Sequence, residues 1–198
     1  MKRYGNDYQK GDRGYEYKGE WYKSRISPEE LKKQALRTAA VFLLAAAAFV
    51  AALSFENQAG RVLWVLLPFV SMCFPLAYGL MGSFSLYFFC RKQADGRLFR
   101  SDGSKGGARV IVPKEHEGKM VRSEYEKCVR RPWRSSAALA VLSFTSLAGD
   151  LILLISERGN KAPAMGRELL FVLLCAFIFL CSLWELWKTH KIKNDFCV

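Results

Sequence analysis

The chain has 198 residues, of which 24% are charged and 51% hydrophobic, with a net charge of +12 and a mean hydropathy near zero. These averages are typical of a soluble protein, but 26 of the 30 Lys and Arg residues lie in three segments, 1–37, 91–134 and 188–198. The rest of the sequence contains four nearly uncharged stretches. This pattern argues against a soluble all-helical core, because a chain of this length could hardly cover four helices that are apolar all round.

Residues 1–26 are rich in Tyr, Gly and mixed charges and contain few aliphatic residues. Such a segment cannot bury enough apolar surface to fold alone, so we expect a disordered cytoplasmic tail. Its tyrosines leave two interpretations open: a tail that stacks on nucleic acid or lies on lipid headgroups, and a solvated leader. Acidic residues dilute the positive charge of the tail, which favours the solvated leader and argues against a nucleic-acid partner.

A helix is predicted to begin directly after this tail. Ser27 can cap it, Pro28 suits the first helical position, and Glu30 completes a capping box with Ser27. No breaker follows, so residues 27–37 are expected to form the juxtamembrane start of a helix that continues into the first apolar stretch.

Four stretches, 38–55, 62–90, 135–156 and 169–187, are predicted to be transmembrane helices. Each is long enough to cross a hydrocarbon core of ~30 Å at ~1.5 Å per residue. A spanning segment of this kind must be helical, because lipid offers the backbone no hydrogen bonds. The fold class is therefore an all-α integral membrane protein with four transmembrane helices.

The second span is unusually long and contains Pro68 and Pro75, each of which removes one backbone donor. Gly79 and Gly82 follow. One interpretation is a hinge or a broken helix beside a substrate cavity, as in transporters. The other, which we favour, is a long helix whose proline kinks are tolerated by the neighbouring helices.

Residues 91–134 form a basic cytoplasmic loop in this prediction. Residues 97–99 and 108–112 flank a glycine-rich turn at 102–107, which is typical of a small β-hairpin. Two strands alone are marginally stable, so the hairpin would need the membrane surface, the tail or a partner. The turn matches neither common phosphate-binding glycine motif.

The two halves of the membrane region resemble each other. Gly-Arg-x-Leu opens the second and fourth spans at 60–63 and 166–169, and Ser85–Tyr87 resembles Ser182–Trp184 near the other ends. We therefore predict two parallel-repeat hairpins, 38–90 and 135–187, related by an axis along the membrane normal and packed as a four-helix antiparallel bundle.

The distribution of Lys and Arg predicts the orientation. By the positive-inside rule, the three basic segments, including the tail 188–198, lie in the cytoplasm with both termini, and the plasma membrane is the expected location. Basic residues next to the spans are attracted to anionic headgroups. The candidates for facing lipid are Lys32, Lys33, Arg37, Arg91, Lys92, Arg130, Arg131 and Arg134.

Asp150 is the main candidate for chemistry within the membrane, where a carboxylate is costly. One interpretation is a proton- or cation-coupling site facing the bundle interior. The other, which we favour, is a structural carboxylate that pairs with an arginine near the outer boundary, namely Arg61, Arg158 or Arg167. Glu185, near the inner end of the fourth span, is expected to extend toward Lys188.

The sequence indicates no catalytic, cofactor-binding or metal-binding residues, since it contains no nucleophile with a partner base and no metal-ligand spacing of His or Cys. The function expected is therefore that of a non-enzymatic polytopic membrane protein whose basic cytoplasmic face meets anionic lipid or a protein partner. The alternative is a small transporter or channel subunit, assembled as a homo-oligomer, that uses Asp150 and the kinked second span.

Overall fold

A computed structural model of the chain describes residues 8–11, 14–55, 62–94, 110–111, 119–156 and 165–197. Helices dominate the described part. They are α1 (Pro28–Leu53), α2 (Leu63–Ser71), α3 (Cys73–Ala94), α4 (Arg122–Tyr125), a π-helical segment (Glu126–Arg130), α5 (Arg131–Ser156) and α6 (Met165–Asn194).

Four helical stretches in this part of the chain are long and apolar enough to cross a membrane: Pro28–Leu53, Leu63–Arg91, Arg122–Ser156 and Gly166–Asn194. They overlap the four predicted spans and are consistent with an all-α, multi-pass membrane protein. The predicted helix start is also confirmed. Ser27 caps α1 by accepting a hydrogen bond from the backbone N–H of Glu30 at 3.3 Å, and Pro28 occupies the first turn.

The long helices pack side by side around a common core. α1 packs against α3 and α6, and α5 packs against α6, α3 and α2. Phe69 of α2 joins three of these elements, because its ring centroid lies 4.9 Å from both that of Phe49 in α1 and that of Phe171 in α6. The core is thus held by large apolar side chains that interlock between helices.

The exterior of the bundle is more apolar than a soluble protein would tolerate. Leu63, Phe74 and Ile155 are 70%, 74% and 70% exposed, and many other large apolar side chains face outward. The interior, in contrast, contains buried serines at positions 83, 135, 136, 143 and 146. Apolar side chains facing outward around a partly polar interior are expected for helices surrounded by lipid.

The second span is divided between its two prolines. α2 ends at Ser71, Met72 is fully buried in a turn, and α3 begins at Cys73. Serines of α5 reach the backbone near the prolines, since the Ser135 hydroxyl donates to the Pro75 carbonyl and that of Ser146 donates to the Val65 carbonyl at 3.5 Å. A neighbouring helix therefore donates two hydrogen bonds to the backbone of this span, one on each side of the division.

Two small sheets lie outside the long helices. In the first, β1 (Tyr8–Gly11) pairs antiparallel with β2 (Gly14–Tyr17), and β2 pairs in parallel with β4 (Val110–Ile111). The predicted hairpin strand at 97–99 and its turn at 102–107 lie outside the described residues.

The second sheet joins three segments that are distant in sequence. β3 (Trp21–Ser24) lies between β5 (Met120–Val121) and β6 (Phe196–Cys197), with Trp21 opposite Val121 and Ser24 opposite Phe196. The backbone N–H of Arg25 also donates to the Asp195 carbonyl at 3.0 Å.

Strands β1, β2 and β3 all fall within residues 1–26, for which the composition led us to expect no regular structure. The difference has a physical reason. Composition reports only what a segment can bury by itself, whereas β2 and β3 are completed by strands from elsewhere in the chain.

Candidate functional site

Asp150 lies on the inner face of α5, close to the end of the helix, and is fully buried. Neither carboxylate oxygen has a hydrogen-bond partner among the described residues. A buried carboxylate without a partner is costly, because the charge loses its hydration without compensation. The site is therefore one that favours a proton, a cation or a donor from elsewhere.

The surroundings of Asp150 place a second acid nearby. Glu168, in the first turn of α6, is buried and close enough to interact electrostatically with Asp150. Cys175, about two turns further along α6, is buried and also interacts with Asp150. Gly149 lets α2 approach at this level, since a Cβ there would lie 2.9 Å from atoms of both Trp64 and Val65. The acids thus sit where α5, α6 and the broken second span meet.

Of the three arginines predicted as partners of Asp150, one lies in the part of the chain that the structure describes. Arg61 and Arg158 lie outside the described residues, and Arg167 is exposed at the start of α6. The burial of Asp150 between helices is the feature that sequence reasoning left open, because a helical position alone does not say which way its side chain faces.

The opposite end of the bundle carries the predicted basic residues, and we call it the basic end. Several of its cations lie over aromatic rings: the distance to the ring centroid is 5.5 Å from Lys32 to Tyr87 and 5.0 Å from Arg131 to Tyr78. Lys193 lies 4.5 Å from the centroid of Trp133. Aromatic rings beside cations are typical of the boundary between hydrocarbon and headgroups.

The candidate lipid-facing residues are mostly accessible. Arg130 and Arg131 are partly buried, Arg130 forms a 3.3 Å ion pair with Glu126, and the side chain of Lys92 lies outside the description. The exposed members are Lys32, Lys33, Arg37, Arg91 and Arg134. The candidates that contact water or lipid thus come from α1, α3 and α5.

An apolar cluster ties the basic end together, and sequence reasoning missed it. Tyr22 of β3 stacks on Tyr125 with ring centroids 4.1 Å apart, and Phe196 contacts the same ring edge-on at 5.4 Å. Leu31 and Met120 are buried in the same cluster. The unusual number of tyrosines in residues 1–26 is the sequence signal for this cluster, although the charge of that segment favours a solvated leader.

Tyr22 also carries a perturbed hydroxyl. Burial, together with a 2.7 Å hydrogen bond donated to the Glu20 carboxylate, raises the pKa of Tyr22 to about 12. The neutral phenol is thus favoured in the folded state.

Comparison of the chain with protein-family models, with curated proteins and with solved structures found no match.

Proposed function

We propose that the chain is a non-enzymatic polytopic membrane protein of the plasma membrane whose basic end lies in the cytoplasm and meets anionic lipid or a protein partner. One observation carries the proposal. Strands from the three segments that hold most of the cations meet in a single sheet, β5-β3-β6, at one end of the helices.

Charge and packing support this orientation. The connections 56–61 and 157–168 hold only four of the 30 basic residues, so the positive-inside rule favours the basic end for the cytoplasm. The first span packs against the second through α1 and α3, and the third packs against the fourth through α5 and α6, which supports two in–out–in hairpins. Both termini then lie on the cytoplasmic side.

Cysteine labelling tests the orientation. In a cysteine-free background, a membrane-impermeant thiol reagent should modify Gln58→Cys and Asn160→Cys in intact cells and leave Ser104→Cys unmodified. Permeabilised cells provide the control, in which all three variants should react. Labelling of Ser104→Cys in intact cells would contradict the proposed threading.

Lipid enrichment tests the binding. Each Lys or Arg near an anionic surface contributes ~1 kcal/mol, and salt screens the attraction. We expect the full chain, extracted from mixed phosphatidylcholine and phosphatidylglycerol bilayers, to retain more anionic lipid than the bulk, and less of it at high salt. Replacing Lys32, Lys33 and Arg37 together with Gln should reduce the enrichment. Retention in the bulk ratio by the native chain would favour the protein partner instead.

A small transporter or channel subunit, assembled as an oligomer, is the second candidate function. The observation that favours it is Asp150, fully buried with both oxygens unpartnered among the described residues, beside the division of the second span at Met72. In proteoliposomes with an enclosed pH dye, Asp150→Asn should abolish proton-coupled flux while the melting temperature stays at or above that of the native chain. A lower melting temperature with no native flux would instead make Asp150 structural.

A further inference from the structure

A polar cleft lies between α1 and α6 at the basic end. Its volume is about 350 Å³, and it is lined by one face of α1 from Gln34 to Val41 and by one face of α6 from Trp184 to Ile192, with Asp195 beyond. The cleft opens on the outside of the bundle, since Arg37, Trp184 and Lys191 in its lining are exposed, and its lining does not include Asp150.

The chemistry of the cleft changes along its length. Val41 and Trp184 lie at the end nearer the membrane centre, and Arg37 and Lys188 lie next to them. Toward the chain termini of the two helices come Gln34, Lys191 and Asp195. An apolar end followed by cations matches the order of groups in a phospholipid, in which acyl chains lead to a phosphate and then to a headgroup.

Two acceptors in the wall of the cleft lack donors. Glu185 is only 3% exposed, and its Oε1 has no hydrogen-bond partner among the described residues; the same is true of the buried Oε1 of Gln34. The sequence predicts that Glu185 extends toward Lys188 at the surface. It is instead buried, with a hydrogen bond from Thr38 and an electrostatic interaction with Lys188.

These features limit the occupant. Three cations call for an anionic group, whereas Gln34 and Asp195, at the end nearer the helix termini, call for a cation or hydrogen-bond donor. A simple anion would satisfy only the first requirement. A phosphate joined to a primary ammonium satisfies both, because the ammonium has three N–H donors.

We propose that this cleft binds the headgroup of an amino-bearing glycerophospholipid, with the phosphate near Arg37 and Lys188 and the ammonium near Gln34 and Asp195. The site rests on the proposed membrane orientation and adds to it a specific lipid. The basic end as a whole attracts anionic lipid by its charge. The cleft, in contrast, recognises a zwitterionic headgroup through the N–H donors of the ammonium of the lipid.

Native mass spectrometry of the full chain, delipidated in a neutral detergent, measures the binding of single lipids. We expect dioleoyl phosphatidylethanolamine to bind about tenfold more tightly than dioleoyl phosphatidylcholine, whose quaternary ammonium has no N–H donor. Equal dissociation constants for the two lipids would overturn the proposal.

Variants locate the site. Arg37→Gln should weaken phosphatidylethanolamine binding about tenfold, whereas Lys33→Gln, one turn away and outside the cleft, should change it less than twofold. Asp195→Asn should reduce the preference over phosphatidylcholine, and its melting temperature without lipid checks that it folds. If Arg37→Gln and Lys33→Gln lose the same affinity for phosphatidylethanolamine, the overall positive charge of the basic end attracts the lipid, and binding in the cleft is refuted.

Free phosphoethanolamine distinguishes a lipid from a soluble phosphate compound. The acyl chains should make the lipid bind at least tenfold more tightly; equal affinity would show that the occupant is not a lipid. The proposed function fails by a different result, namely labelling of Ser104→Cys in intact cells, and that result leaves the comparison of phosphatidylethanolamine with phosphatidylcholine unchanged.

Discussion

Gly79 in α3 offers a sharp test of the packing between the first two spans. A Cβ at this position would overlap the ring of Phe42 in α1, with Cε2 at 2.8 Å and two other ring carbons closer still. Phe42 is 2% exposed and forms part of the main core, so its ring has little room to move away. Gly79→Ala should therefore separate α1 from α3 or force the ring out of its rotamer.

Two effects of opposite sign set the magnitude. An overlap in a well-packed core costs about 1–3 kcal/mol, whereas Ala gains about 0.5–1 kcal/mol over Gly in a helix. We expect a net loss of about 1–2 kcal/mol, which corresponds to a fall in melting temperature of about 2–8 °C for a chain of this size. The large overlap decides the sign.

Thermal unfolding in detergent, followed by tryptophan fluorescence, measures the change. Gly166→Ala is the matched control, because a Cβ there meets nothing within 4 Å, and it should be neutral within about 0.5 kcal/mol. Phe42→Leu should relieve the overlap, so the double variant should be about 1 kcal/mol more stable than the two single losses predict. If Gly79→Ala is as stable as Gly166→Ala, the packing described here is wrong.

Three further outcomes follow from the same contacts. Gly149→Ala should destabilise less than Gly79→Ala, by about 1 kcal/mol, because its Cβ meets the ends of the Trp64 and Val65 side chains at 2.9 Å; reversal of this order would contradict the structure. Ser135→Ala should cost about 0.5–1 kcal/mol by removing the hydroxyl that donates to the Pro75 carbonyl, whereas Ser85→Ala, on an exposed face, should cost less in the same unfolding assay. Since the pKa of Tyr22 is about 12 when folded and its ordinary value is 10.0, its contribution to stability is complete below pH 10 and is lost as the pH rises to 12. Tyr22→Phe should therefore lose less stability than the native chain over that interval, and identical pH profiles would count against the assignment.

The four membrane-spanning helices could be predicted from the sequence because length and apolarity are local properties. A stretch such as 62–90 can be recognised as a possible span because it contains no charged residue, and this does not depend on how the other helices pack. The start of α1 was predictable for the same reason, since the Ser27 cap and Pro28 act within a single turn. These features depend on the chain and its solvent rather than on tertiary contacts.

Only the tertiary structure decided which side chains face one another. Asp150 could have faced lipid, water or the interior, and its burial results from how α5 packs against α2 and α6. Glu185 is buried where α6 packs against α1, and it accepts a hydrogen bond from Thr38 of α1, a contact that no pattern in α6 reveals.

The strands depended on distant segments in the same way. β3 is stabilised by residues about 100 and 170 positions further along the chain, and its Tyr22 finds its partner in Tyr125. A strand of four residues carries too little information by itself to predict such pairing, since most of its stability comes from the segments beside it. The sequence by itself therefore determined that four helices are long and apolar enough to cross a membrane. Packing between helices and between distant strands determined where the polar groups meet.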